Sequence, residues 1–168
     1  MPVIDPAVDP ALWELSEEGA EAAAWLGRRL ARPAVVVSSD ELKAAATARA
    51  IAAVHDVAVE FDGRLGEVAR DEPFAGDFRA RRRAYVGGAA HPGWEDREAV
   101  VERIDAVVSG RLTRGEEGIP VLVGHGMAFT LWLTARAALA DPGAFWSDLR
   151  LPDAFHVDLA EATIRRVG

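Results

Sequence analysis

Val121-Leu122-Val123-Gly124-His125-Gly126 reads as a short, fully buried strand that stops at a glycine and turns into a helix. Ile119 and Val121 to Val123 supply the apolar, β-branched run, and Met127 to Leu139 is an apolar stretch of helical length. Open α/β sheets bind ligands beyond the carboxyl ends of their strands, and a histidine between two glycines at a strand-to-helix junction falls there. The glycines allow close backbone approach, and the helix start offers unpaired N–H groups to an anion. A turn histidine without a task is the competing reading of this segment taken alone.

The flanking chain alternates strands and helices. Residues 1–15 are extended and Pro-rich. Ser16 caps a helix running to about Arg32, with Glu17 and Glu18 in its first turn. Val35 to Val37 form a buried strand ending at Ser38-Ser39, followed by a helix from Asp40 to Val54 and a strand from Val57 to Phe61. A loop spans 62–72 and a basic helix 73–86. The turn His91-Pro92-Gly93-Trp94 leads to a helix from Glu95 to Leu112. Gly115-Glu116-Glu117-Gly118 is a flexible-looking turn, 140–152 a loop, and two last strands lie near 153–159 and 162–167. Continuous apolar strands separated by helices imply a mainly parallel sheet covered on both faces.

The composition narrows the function. The chain has 168 residues, half of them hydrophobic, enough for one domain with a sizeable core. It has no apolar run of membrane-spanning length and no basic, apolar leader, so a cytoplasmic protein without a membrane partner is expected. Without cysteine there are no disulfides, thiolate metal sites or cysteine nucleophiles. Its four histidines are scattered with no helical ligand spacing, so no metal is expected. A net charge of −8 argues against a nucleic-acid partner. The cations are arginines except Lys43.

Ser38-Ser39-Asp40-Glu41-Leu42-Lys43-Ala44-Ala45-Ala46-Thr47-Ala48 is a second strand end that opens a helix. Ser39 or Asp40 can cap it, and Lys43 lies one turn in. By itself this is also what an ordinary capped helix with one exposed lysine looks like.

Together the two segments resemble the histidine phosphatase superfamily, whose members are phosphoglycerate mutase-like. Ser39, Lys43, Ala44, Thr47 and Ala48 fall on its Ser-x-x-x-Arg-Ala-x-x-Thr-Ala spacing, with Lys43 at the arginine position. Gly124-His125-Gly126 matches its later x-His-Gly strand end, and Leu65-Gly66-Glu67 its Leu-x-Glu segment. Gly93-Trp94-Glu95, Arg103 and Leu151-Pro152-Asp153 resemble one bacterial branch. The resemblance implies one domain over residues 1–168, a three-layer α/β/α sandwich with a mainly parallel sheet. It implies His125 as a catalytic histidine, Glu67 as proton donor, and Ser39, Lys43 and Gly126 as phosphate-binding residues. No metal or other cofactor is implied, and the expected partner is a phosphorylated small molecule, a phosphoprotein or another anion.

The family's first strand ends in Arg-His-Gly or Arg-His-Ala and carries the nucleophilic histidine. No Arg-His pair occurs here, and Met1-Pro2-Val3-Ile4-Asp5-Pro6 resembles the family's segment just after that strand. The sheet is therefore expected to lack one central member. Two functions are compatible with this. One is a phosphomonoesterase or phosphotransferase working through phosphohistidine in its full-length form. The other is a catalytically degenerate relative that binds an anionic ligand or a protein partner. A non-phosphoryl reaction using His125 and Glu67 as acid and base is a third possibility.

The remaining polar residues have plainer expectations. His55 suits a helix end, His91 a surface turn, and His156 packing or a core hydrogen bond within a strand. Asp62, Glu67 and Glu72 could be only a solvated rim. Arg79, Arg81, Arg82 and Arg83 form either a solvated helix face or a basic mouth for a phosphorylated ligand. The tryptophans are expected in packing roles, with Trp94 alone lining a cleft.

Overall fold

A computed structural model describes residues 2–71, 76–115 and 117–167. Met1, Glu72, Glu116 and the first residues of the helix expected over 73–86 lie outside them. Val36–Ser38 (β1) is the middle strand of a three-stranded parallel sheet, flanked by Val59–Phe61 (β2) and Val121–Val123 (β3). Val36 lies opposite Val59 and Val121, and Ser38 opposite Phe61 and Val123. Alternate residues face opposite sides, as the period of a strand requires. Val36 and Val123 pack on Ala44, Ala48, Ile51 and Ala52 of the helix Leu42–His55 (α2). Val35 and Val37 pack on Leu65 and on Val107 of the helix Arg97–Leu112 (α4). The helix Glu17–Gly27 (α1) backs α2. The helices Phe78–Val86 (α3) and Gly126–Ala137 (α5) share the largest core with α4, around Ile104, Met127 and Trp132. Helices thus cover both faces of a parallel sheet, an α/β fold.

Several boundaries depart from the sequence reading. The first helix stops at Gly27, a poor helix former, and a turn and Pro33 come next; a Cβ at Gly27 would also meet the Ile51 backbone at 3.2 Å. The stretch 140–152 contains a short helix, Pro142–Ser147 (α6), started by the Asp141 side chain accepting the Ala144 amide at 2.8 Å. Asp-Pro is an N-cap followed by a favoured first helical residue, a signal too short to be read through its apolar neighbours.

The expected fully buried strand β3 is half-buried at Val121 and Leu122, because among the described residues it is an edge strand. The last two strands, Phe155–Asp158 (β4) and Thr163–Arg166 (β5), pair antiparallel as a separate hairpin. His156 is exposed there, not in a core. The arginines of α3 form a partly exposed face, with Arg79 and Arg83 exposed, that also contacts neighbouring elements. Arg79 donates to the Ser147 carbonyl at 3.1 Å, Arg82 stacks on Phe78 at 3.8 Å, and Arg83 lies against Gly143 of α6.

Candidate active site

Ser39 and His125 follow β1 and β3, neighbouring strands in register, so both emerge at the same carboxyl edge of the sheet. The His125 Nε2 lies 3.0 Å from the Ser39 hydroxyl and 3.1 Å from Glu41 Oε1. Nε2 thus hydrogen-bonds the buried Ser39 hydroxyl, with the Glu41 carboxylate at ion-pair distance beside it. Gly124 must be glycine for this turn: a Cβ would come within 2.9 Å of the Leu65 carbonyl and 2.8 Å of the Phe129 ring.

Ser39 is fully buried. Its hydroxyl accepts the Glu41 amide at 3.2 Å as well as meeting the imidazole, so it positions His125. Neither Ser39 nor Asp40 caps α2. Glu41 is the N-cap residue, and its side chain makes no capping bond. It reaches across the cleft instead: Oε1 accepts the Glu67 amide at 2.8 Å, and Oε2 the Lys43 ammonium at 2.5 Å. Lys43 also donates to the Pro10 carbonyl at 2.6 Å.

Glu67 sits on the start of α5. Its carboxylate accepts the Ala128 amide at 3.0 Å and the Met127 amide at 3.4 Å. Two of the helix-start donors expected to meet an anion are therefore taken by a side chain of the protein, the arrangement an N-terminal helix dipole favours. Arg103, on α4, fixes this loop. It donates to the carbonyls of Arg64 at 2.5 Å, Gly66 at 2.9 Å and Glu67 at 3.3 Å, and pairs with Glu95 at 2.8 Å. Trp94 is buried against Tyr85 and His91 and does not line the cleft. The indole of Trp146 lies against Gly126 in its place. Ser39, Lys43, Glu67, His125 and Gly126 are thus brought to one region. Glu41, Arg103 and Trp146 join them, and of these only Arg103 carried any signal in the sequence.

Burial drives the His125 pKa below its ordinary value of 6.5; the carboxylates of Glu67 and Glu41 oppose this, and Lys43 and Arg103 reinforce it. Burial alone would raise the Glu41 carboxyl, but His125, the Glu67 amide and Lys43 outweigh it and hold the group low. Stability therefore depends on pH. Below pH 6.5 the unfolded chain takes up a proton that the folded imidazole refuses, so stability falls as pH falls, until folded His125 protonates too. Above 6.5 the contribution is fully present. Glu41 adds a separate loss at lower pH, as its own folded value is crossed. The slope from one such proton is at most about 1.4 kcal/mol per pH unit. Urea unfolding between about pH 7.5 and 5.5 should show a decline that His125→Asn flattens; parallel curves for the two proteins would refute it.

Among the described residues, no group of three or more His, Asp or Glu is arranged to hold a metal ion, and no helix is long and apolar enough to cross a membrane. Residues 10–160 match the family profile described as "Histidine phosphatase superfamily (branch 1)". No curated protein matches the chain. A mycobacterial glucosyl-3-phosphoglycerate phosphatase in complex with VO3 is similar in structure, with a TM-score of 0.66 at 25% identity over 92% of this chain and 85% of that one. The mycobacterial glucosyl-3-phosphoglycerate phosphatase complex with inorganic phosphate gives 0.63 at 27% identity, over 92% and 84%. A Bacillus stearothermophilus protein, YhfR, shares the fold with a TM-score of 0.68 at 22% identity, over 92% and 83%.

Proposed function

This chain belongs to branch 1 of the histidine phosphatase superfamily, and from that premise we propose that its cleft binds the phosphoryl group of a phosphorylated small molecule or phosphoprotein. Given a second, attacking histidine, the group would be transferred through phosphohistidine. The observation that carries this reading is the buried His125, whose Nε2 lies 3.1 Å from Glu41 and so beside the Lys43–Glu41 pair at the carboxyl edge of the sheet.

A phosphoryl group in transfer spreads negative charge over its oxygens, and fixed donors stabilise it without reorganising. His125 supplies such a donor. Lys43 supplies a point charge without the two-pronged geometry of arginine. Glu67, at the rim of the same cleft, is the group to protonate the leaving oxygen and then activate water. The attacking imidazole has no candidate among His55, His91 and His156. The open edge of β3, beside His125, is where a further parallel strand could deliver one. The mycobacterial relatives' named substrate, a phosphorylated sugar derivative, supports a phosphomonoester. The lack of a second cleft histidine favours the alternative, a member that binds phosphorylated ligands without turning them over.

Both readings require anion binding at His125 and Lys43. Calorimetric titration of the chain with orthophosphate should detect it. His125→Ala and Lys43→Met should each weaken it about ten- to a hundredfold, the range of a lost charge-assisted hydrogen bond. Binding indifferent to both substitutions would defeat the assignment.

A further inference from the structure

Glu41 sits among the residues that the reading above assigns to the phosphoryl group. Three parts of the fold converge on its carboxylate: the Lys43 ammonium from the first turn of α2 and the Glu67 amide from the loop after β2 donate to it, and the His125 Nε2 from the end of β3 lies 3.1 Å away. These are cationic or N–H groups converging on one pair of oxygens, the donor set that a bound oxyanion demands. The side chain does nothing for its own helix, since Glu41 occupies the N-cap of α2 without making a capping bond. It is also not walled in. A cavity of about 400 Å³ adjoins it, lined by Ser39, Asp40, Glu41, Leu42, Gly63 and Gly66, into which a glutamate side chain can turn.

We propose that Glu41 is an internal occupant of the anion position, so that a phosphorylated ligand binds only by displacing its carboxylate from Lys43, His125 and the Glu67 amide. The inference rests on the phosphoryl-binding reading above and adds a residue that sets the affinity of that site. With Glu41 docked, the cleft's positive donors are neutralised internally and weak or singly charged anions are excluded. A phosphate dianion exchanges for the carboxylate because it brings more charge and more acceptor oxygens to the same donors. Ligand affinity is reduced by the fraction of molecules in which Glu41 is docked.

Orthophosphate binding to the full 168-residue chain tests this. Glu41→Gln keeps the shape and removes the charge, and Glu41→Ala empties the position. Both should bind orthophosphate about tenfold or more tightly than the unsubstituted chain. A purely structural ion pair predicts the opposite, weaker or unchanged binding in a less stable protein. Unchanged or weaker binding in folded variants, with His125→Ala still impairing it in the unsubstituted chain, overturns the role of Glu41 and leaves the site assignment standing. Binding indifferent to His125 overturns both. Should the variants fail to fold, the unsubstituted chain decides by nuclear magnetic resonance. Saturating orthophosphate must shift the Glu67 amide, which loses its carboxylate acceptor; an amide that does not move while phosphate binds overturns the proposal.

Discussion

The 168-residue chain should turn over p-nitrophenyl phosphate no faster than buffer, whereas the same chain extended by an N-terminal strand ending in Arg-His should hydrolyse it. In that extended form, His125→Ala should lower kcat about a hundred- to a thousandfold, the range for removing one donor to a developing oxyanion. The expectation rests on where the other histidines lie. His55 ends α2, roughly 20 Å along the helix from the cleft, and its Nε2 bonds the Gly27 carbonyl at 2.8 Å. His91 stacks on Trp94 with ring centroids 4.4 Å apart. His156 is exposed on the separate hairpin. None faces His125. Direct attack by water on a bound ester forgoes the covalent intermediate that divides the difficult step in two. The assay compares both forms on one substrate, with acid-labile phosphohistidine trapped in the extended one. Equal, His125-dependent rates in the two forms would show that no further histidine is needed and that the phosphohistidine mechanism is wrong.

Trp132→Ala should destabilise the fold by about 3–5 kcal/mol, the usual range for removing a large buried aromatic side chain. Trp132 is 5% exposed, inside the cluster of Val100, Ile104, Met127, Ala128 and Leu131 that joins α4 to α5. Its indole N–H donates to Asp105 at 2.7 Å, and Asp105 is also paired with Arg136. The substitution therefore opens a cavity and strips one donor from a carboxylate. Trp132→Phe separates the two effects: it keeps most of the ring and loses the hydrogen bond, and should cost about 1–2 kcal/mol. Trp25, 51% exposed with Arg29 stacked over it at 4.5 Å, is the control, and Trp25→Ala should cost less than about 1 kcal/mol. Urea unfolding of the three variants measures all of this. Similar losses for Trp25→Ala and Trp132→Ala would contradict the packing described.

The sequence by itself carried the class of fold. Val35 to Val37 and Val121 to Val123 are apolar on both faces, and their alternation with helices marks them as strands of a helix-covered parallel sheet. Each ends in small or polar residues at a helix start, so Ser39 and His125 had to emerge together once the strands paired in parallel. What the chain does at that edge was decided by contacts no local pattern encodes. Lys43 is near in sequence, but nothing around Glu41 says that its side chain ignores its own helix, because the other groups it meets are 26 residues on at Glu67 and beyond that at His125. The same holds for Glu67 closing the start of α5, and for Arg103 gripping three carbonyls of the loop before it. Apolar periodicity reports burial, which a residue's own neighbours in sequence largely fix. The direction of a long polar side chain is set by whichever distant donors the packed elements bring within reach, and that exists only after the helices and strands have closed around it.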